Sequence, residues 1–318
     1  MKLVIVVPCY NEEAVLPSTL NALTLRVADL CRQGAVSEGG ILCVDDGSSD
    51  ATWKIIEQFA AQSNCVWGLK LAHNVGHQNA LWAGMEQAVE RLQADALITI
   101  DADLQDDVSV IDRMIQVHRE GAEVVFGVRS DRSSDSFFKR TTAQLFYKLM
   151  SFLGAEVVYN HADYRLMGRR SVKALIAYPE RNLFLRGLVR TLGFSSASVY
   201  YSRHERLAGE SKYPLHRMLA FAVDGITSFS VRPLRMIAWL GGVFMLIALC
   251  AILYGLYAFL THHALPGWTS LLISVWFIGG AILTSLGIIG EYVGKIYKEV
   301  KRRPRYLIDR FAGRLSDA

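Results

Sequence analysis

Apolar and polar positions fall into blocks along the first 130 residues, and the blocks follow two different periods. Short apolar runs recur at Leu3–Val7, Ile41–Val44, Val66–Leu71 and Ala96–Ile100, with a fifth over Glu123–Val128. Runs this short and rich in Val, Ile and Leu predict strands buried on both faces. Between them lie segments whose apolar residues repeat at helical spacing. These are Val15, Leu16, Leu20, Leu23 and Val27, then Ile55, Ile56 and Phe59, then Ala80–Leu92 and Val108–His118. Asp50 stands where an N-cap of the second helix belongs. Strand and helix alternating at this rhythm predict an α/β fold with a mostly parallel sheet and right-handed crossovers.

After Ser130 the pattern is less regular. Phe137–Leu153 predicts an amphipathic helix carrying Lys139, Arg140 and Lys148, and Ser198–His204 alternates like a strand. Glu205–Tyr213 is polar. Arg206 and Lys212 there are suited to clamp phosphates and Gly209 frees a loop to close, although a solvated surface loop has the same composition. Residues 214–235 mix apolar positions with His216, Arg217, Arg232 and Arg235, which suits a helix in a membrane interface or a core helix of the preceding domain. Two charge-free stretches follow, at about 236–261 and 265–290. Each is long enough to cross the ~30 Å hydrocarbon layer. The link around His262 and His263 is short, so the two predict a transmembrane hairpin with both ends on one side. Arg232 and Arg235 flank one end, and Lys295, Lys298, Lys301, Arg302, Arg303 and Arg305 the other. The positive-inside rule puts both flanks, and hence both termini, in the cytoplasm. The expected organisation is an α/β domain over 1–213, an interface segment over 214–235, two membrane helices within 236–290 and a basic cytoplasmic tail over 291–318.

Composition sharpens this reading at three points. Hydrophobic residues make up 52% of the 318, and the excess lies mostly after Pro233. The net charge of +4 is too small to argue for nucleic acid, and no aromatic-interleaved basic patch is present. Five cysteines without C-x-x-C spacing exclude a zinc ribbon or disulfide framework and fit a reducing compartment. The first apolar run is too short for a signal peptide and meets Pro8, Glu12 and Glu13 at once.

Candidate chemistry lies where strands stop. Three predicted strands end in polar clusters, at Tyr10 and Glu12, at Asp45 and Asp46, and at Asp101 and Asp103 with Gln105 beyond. Each is composed of turn formers and by itself marks only a turn or a helix cap. Three carboxylate clusters on one edge of one sheet go further, because open α/β sheets bind ligands beyond the carboxyl ends of their strands. In an extended segment Asp101, Asp103 and Gln105 point the same way. Hard oxygen donors so arranged suit Mg²⁺ or Mn²⁺ carrying a diphosphate. G-x-G-x-x-G follows none of the strands, which disfavours a dinucleotide site.

The set V-V-P-C-Y-N-E-E (6–13), V-D-D-G-S-S-D (44–50), N-V-G-H-Q-N-A-L (74–81), D-A-D-L-Q-D (101–106), A-D-Y-R-L-M (162–167), E-R-N-L-F-L-R-G (180–187) and R-L-A-G-E-S-K-Y (206–213) resembles the GT-A glycosyltransferases of family 2. With the hairpin and its G-E-Y-V-G-K-I-Y (290–297) and R-R-P-R-Y (302–306) ending, it is similar to the polyprenyl-phosphate glycosyltransferases, which include dolichyl-phosphate mannose synthases and bactoprenol glucosyl transferases. The resemblance spans nearly the whole chain. It implies a Rossmann-like GT-A domain in which Pro8, Tyr10, Glu12, Asp45, Asp46, Asp101 and Ala102 line the nucleotide-sugar pocket. It implies Asp103 and Gln105 on the metal, Arg129 near the phosphates, and Arg206, Ser211 and Lys212 in a loop closing over donor and acceptor phosphate. Asp163 and Arg165 fall where the family places groups near the reacting centre, Asp163 as a base or as a positioning group. The implied reaction is inverting transfer of a hexose from a sugar nucleotide to undecaprenyl phosphate at the bacterial inner membrane, for modification of cell-envelope glycans such as lipopolysaccharide. The A-D-Y-R-L-M and E-R-N-L-F-L-R-G pieces look closest to the bactoprenol glucosyl transferases, which favours UDP-glucose over a UDP-N-acetylhexosamine, GDP-mannose or a modified arabinose donor. A processive synthase would bring Q-x-x-R-W and more spans, and neither is present. A non-catalytic membrane scaffold with a vestigial sugar-nucleotide site is the remaining rival. Glycines in the second span, Gly279, Gly280, Gly287 and Gly290, allow close helix packing and self-association.

Overall fold

The computed structural model describes residues 1–129, 161–181, 183–202, 232–260 and 267–314. The helix expected over 137–153, the loop with Arg206, Ser211 and Lys212, the interface segment up to residue 231 and the turn with His262 and His263 lie outside the described residues. The described residues form two compact units. One is an α/β unit, to which residues 303–314 return, and the other holds the two long C-terminal helices.

In the α/β unit the order is β1 (Lys2–Cys9), α1 (Leu16–Arg32), β2 (Glu38–Asp45), α2 (Thr52–Gln62), β3 (Val66–Leu71), α3 (His77–Glu90), β4 (Ala96–Thr99), a 3-10 turn (Val108–Val110), α4 (Ile111–Arg119) and β5 (Val124–Arg129). Then come β6 (His161–Gly168), α5 (Arg169–Ile176), α6 (Leu185–Thr191), β7 (Ser196–Tyr201) and, at the far end of the chain, β8 (Ile308–Ala312). The described strands make one sheet in the order β7-β5-β6-β4-β1-β2-β3-β8. β1 lies parallel to β2 and β4, β2 to β3, and β5 to β7. β6 runs antiparallel between β4 and β5, and β8 runs antiparallel along the free edge of β3.

The five strands expected over the first 130 residues are all present, β7 answers to the alternation that begins at Ser198, and burial explains why the first five are legible. Leu3, Ile5 and Val7 of β1 pack with Leu16, Leu20 and Leu23 of α1 on one face. On the other face α3 sits so close to the sheet that a Cβ added at Gly84 would lie 2.3 Å from Val6 Cγ1 and 2.9 Å from Val44 Cγ2. Both faces are covered, so the strand sequences are continuously apolar.

Two strands depart from the sequence reading. β6 carries Asp163 and Arg165 at alternate positions, and these charges hide it from an apolar-run criterion. The stretch 291–318, expected as a basic cytoplasmic tail, carries regular structure over much of its described part. A helix continues through it to Lys301, Arg302 takes a left-handed φ of +47°, and Ile308–Ala312 form β8. I-D-R-F-A reads as a polar segment because an edge strand needs only one neighbour. The Trp67 Nε1–H donates to Arg314 O at 2.8 Å and fastens the end of this strand. It also covers an edge that would otherwise expose unpaired backbone groups of β3.

The helical unit holds α7 (Arg232–Leu260) and α8 (Trp268–Lys301), of 29 and 34 residues. Phe244 and Phe277 meet edge to face at 5.3 Å between the two. Large apolar side chains on both, including Trp239, Leu246, Leu253, Ile282 and Leu283, are exposed. Among the described residues Phe277–Lys301 is the stretch long and apolar enough to cross a membrane, and Pro233–Phe244 is a shorter apolar one.

The contact at Gly84 yields a direct test. Gly84→Val is expected to lower stability by at least the ~1–3 kcal/mol typical of an overpacked core, because the α3–sheet spacing must widen. Urea unfolding of the detergent-solubilised protein checks it.

Candidate active site

β1, β2 and β4 are parallel, so their carboxyl ends open on one edge of the sheet. β6 runs the other way, and its beginning therefore arrives at that same edge. Thr99 at the end of β4 pairs with Arg165, and the Thr99 hydroxyl donates to the Asp163 carbonyl. Polar groups more than 60 residues apart in sequence meet there for that topological reason.

The β1 and β2 loops are stitched together. Asn11 takes a left-handed φ of +56°, which an Asn tolerates, and its Oδ1 accepts from the N–H and hydroxyl of Ser49. The Glu12 N–H donates to Thr52 Oγ1 at 2.8 Å. Pro8 is buried in β1, whereas Tyr10 is half exposed beside it. Asp45 and Asp46 are both buried but differ in use. Both Asp46 oxygens accept backbone N–H groups, from Val75 at 2.7 Å and Gly76 at 3.0 Å. Asp46 thereby holds the turn that launches α3. Asp45 Oδ1 accepts from Ser48 N–H at 3.2 Å, while its buried Oδ2 has no hydrogen-bond partner among the described residues. Burial pushes both carboxyls up from their ordinary range, against the hydrogen bonds they accept.

Residues 101–105 are not the extended segment expected from the sequence. β4 ends at Thr99, residues 102–104 turn, and Leu104 sits at a φ of +54°. A leucine there is strained by about 1–3 kcal/mol, so the surroundings impose the turn. Asp101, Asp103 and Gln105 are thus placed by a turn and not by strand alternation. Asp103 Oδ1 accepts the Gln105 N–H at 3.2 Å, and Gln105 is only 5% exposed. Ala102 is buried, and its carbonyl accepts from the Thr19 hydroxyl at 2.6 Å.

Across from these acids lies a cationic cluster centred on Asp163. Its Oδ1 accepts from Arg165 at 2.7 Å, and its Oδ2 accepts from Arg186 at 3.1 Å and faces His77 Nε2 at 3.3 Å. His77 Nε2 is also 3.8 Å from Asp101 Oδ1, and so bridges the two acids. Burial alone would raise the Asp163 carboxyl. The His77 hydrogen bond and the charges of Arg186 and Arg165 override it and hold the group well below the usual carboxylate range. Burial would lower the His77 imidazole, but Asp163 and Asp101 raise it above its ordinary value. Burial pushes the Asp101 carboxyl up to about 6, with His77 opposing and Asp163, Asp106 and Asp103 adding. Arg165 is 1% exposed and backs Asp163 from within; Arg186, on α6, is the more accessible guanidinium.

Arg129, at the end of β5, is held by a third group. The Tyr201 hydroxyl donates to Asp106 Oδ1 at 2.5 Å, and Arg129 donates to the same oxygen at 3.1 Å. Sequence reasoning placed Asp101, Asp103, Asp163, Arg165 and Arg129 at one site, and they stand at one sheet edge. It gave no role to His77, Arg186, Asp106 or Tyr201. His77 and Arg186 lay inside quoted motifs, but only the fold brings them to Asp163.

Among the described residues no group of three or more His, Cys, Asp or Glu forms a ready metal cage. Mg²⁺ carried by a diphosphate needs only one or two protein carboxylates. Asp101 and Asp103 fit that demand, with like charges nearby that a cation would offset.

Asp163→Asn strands the buried Arg165 charge and is expected to cost about 3–5 kcal/mol of stability, read by chemical unfolding. The pH dependence follows from the shifts. Asp163 is lowered in the fold, so its stabilisation is present above the unfolded value of about 4 and fades as pH falls through the lower folded one. His77 is raised, so its stabilisation is complete below about 6.5 and is lost as pH rises through its folded value. The wild-type melting temperature should therefore carry a downward component as pH rises above about 6.5 that is smaller in His77→Gln.

The profile described as Glycosyl transferase family 2 matches residues 4–176, and the one described as GtrB C-terminal hairpin matches 232–296. A Bacillus subtilis protein named uncharacterized glycosyltransferase YkoT is 53% identical over 308 residues, covering 96% of this chain and 91% of that one. The bactoprenol glucosyl transferase of Shigella phage SfX is 39% identical over 313 residues, covering 97% and 99%. Among solved structures, the mannosyltransferase PcManGT of Pyrobaculum calidifontis shares 14% identity at a TM-score of 0.46, covering 94% of this chain and 86% of that one, a likeness too loose to bear on chemistry. The chain belongs to glycosyl transferase family 2, in the polyprenyl-phosphate glycosyltransferase group that includes the bactoprenol glucosyl transferases.

Proposed function

We propose that this glycosyltransferase moves glucose from UDP-glucose onto undecaprenyl phosphate with inversion at the anomeric carbon. The observation that carries the reading is the junction at His77, where an acidic turn suited to a cation-bound diphosphate abuts a guanidinium-rich cluster. A reaction between two phosphate-bearing substrates needs both sides. Relatives named bactoprenol glucosyl transferases, matched over nearly their whole length, support the acceptor and favour glucose.

Asp45 has a buried acceptor oxygen to offer a nucleobase N–H or a ribose hydroxyl, with Tyr10 beside it; Asp46 braces the pocket through its backbone contacts. Asp103 with Asp101 holds Mg²⁺ or Mn²⁺, which when bound offsets the charge of the departing diphosphate. Gln105 supports Asp103 from within the same turn. Arg129, steadied by Asp106, faces the phosphates. Arg206, Ser211 and Lys212, outside the described residues, are assigned by the family resemblance to the same phosphates.

The acceptor phosphate is largely ionised at neutral pH. Its oxygen forms the new bond to the anomeric carbon as the bond to the nucleoside diphosphate breaks, and no strong base is required. Asp163 is poorly suited to be one, because three cationic side chains engage its two oxygens and depress its pKa. Its role is to orient Arg186 and His77, with Arg165 as the buried counter-ion. α7 and α8 form a two-span membrane hairpin at the inner membrane, with the catalytic unit and both termini in the cytoplasm. Their exposed apolar surface and the basic residues after Gly290 support this, and the glycines of α8 leave room for self-association.

Purified protein with labelled UDP-glucose, undecaprenyl phosphate and Mg²⁺ or Mn²⁺ is expected to yield labelled lipid, with a β anomeric signal by NMR. Asp103→Ala should reduce the rate at least ~100-fold, on the scale of lost electrostatic stabilisation at a reacting centre. Label from another sugar nucleotide alone would change the donor and keep the chemistry. Silence across a donor panel with folded protein would favour the scaffold reading.

A further inference from the structure

We infer that Arg305, on the segment entering β8, is a positioning residue for the proposed transfer reaction. It fastens the 178–185 segment to α3 and so sets Arg186 against Asp163. The inference rests on that reaction as the process Arg186 serves.

Arg305 lies 119 residues after Arg186 and outside every motif assigned a role in the reaction pocket. Its guanidinium stacks on the Trp82 ring of α3, 3.9 Å from the ring centroid. It also donates to two backbone carbonyls, Tyr178 O at 2.5 Å and Glu180 O at 2.7 Å. Trp82 is fully buried, so the platform is fixed. Two carbonyls gripped by one cation on a rigid ring define where the chain leaves α5 and heads toward α6. The other end of the segment is anchored to the same helix, since Leu185 N–H donates to Gln78 Oε1 at 2.8 Å. Leu185 O in turn accepts from Arg165 at 3.4 Å. The segment is therefore tied to α3 at both ends, and α3 begins with His77. Arg186 and His77, the two accessible partners of Asp163, are registered to each other through this one helix. The neighbouring Tyr306 donates to Glu86 at 2.7 Å, also on α3, but touches neither carbonyl. It secures the strap without gripping the segment.

A group held within about an ångström of its working position is sensitive at that scale, and losing it can cost about 100-fold in rate. Arg305→Ala is expected to lower kcat about 10- to 100-fold with the donor KM within about twofold, because the stacking on Trp82 and the bonds to Tyr178 O and Glu180 O act on α3 and the 178–185 segment. Arg305→Lys, which keeps a cation able to reach two carbonyls, should recover part of the loss, and Tyr306→Phe should remain near wild type. Amide hydrogen exchange on the full protein supplies a readout independent of substrate. Peptides spanning 178–190 should exchange faster in Arg305→Ala, while those spanning 41–50 should not. Unchanged exchange at 178–190, or exchange raised equally across the unit, would overturn the inference, whatever the donor proves to be. A kcat unchanged in an active enzyme would overturn it as well. Wild-type inactivity with the expected local exchange would reject the proposed reaction and leave Arg305 as the fastener of this segment.

Discussion

Asp163 is the charge on which the rest of the site depends. A carboxylate this deeply buried is untenable alone, since desolvating it costs several kcal/mol. Here Arg165 supplies a counter-charge from inside, and Arg186 and His77 supply two more from the pocket side. The arrangement fixes four side chains from three separate elements, β6, α3 and α6. It also accounts for Arg165, whose full burial would be prohibitive without that acid. The same pairing that stabilises the cluster engages both Asp163 oxygens and lowers the carboxylate's affinity for a proton.

The acidic half of the edge is built differently. Asp45 and Asp46 are adjacent, Asp101 and Asp103 alternate, and Asp106 follows three residues on, yet their partners differ. Asp46 and Asp106 are consumed by internal partners, backbone N–H groups in one case and Tyr201 with Arg129 in the other. Asp45 keeps a buried oxygen without a partner among the described residues, and Asp101 and Asp103 stand in a strained turn with like charges about them. These acids share one composition, and hydrogen-bond accounting separates Asp46 and Asp106, held by internal donors, from Asp45, whose buried Oδ2 has no partner among the described residues.

The chain leaves the α/β unit for two long apolar helices and comes back to it. The returning strand seals the β3 edge, and the residues just before it reach α3 and the start of the segment carrying Arg186. A segment that composition marks as a basic tail is thereby an internal part of the catalytic unit. Its Arg305 acts on the ring of a buried tryptophan and on two backbone carbonyls, contacts to which a charge count is blind.

The sequence by itself determined the parallel core of the sheet, because strands covered on both faces must be continuously apolar and helices covering them must repeat every three to four residues. It also determined the location of the acidic turns, because carboxylates can stand only where such strands end, and it marked the two long apolar segments. It was silent on β6 and β8, whose charged or edge positions break the apolar pattern. It was misleading about the shape of 101–105, where packing forces Leu104 into a left-handed turn. Only the tertiary structure decided that β6 runs backwards between β4 and β5. That reversal delivers Asp163 to the carboxyl edge beside Asp101, and with it the meeting of His77, Arg165 and Arg186. Pairing of charges so distant along the chain is set by strand direction and register, and neither is written in the local pattern of residues.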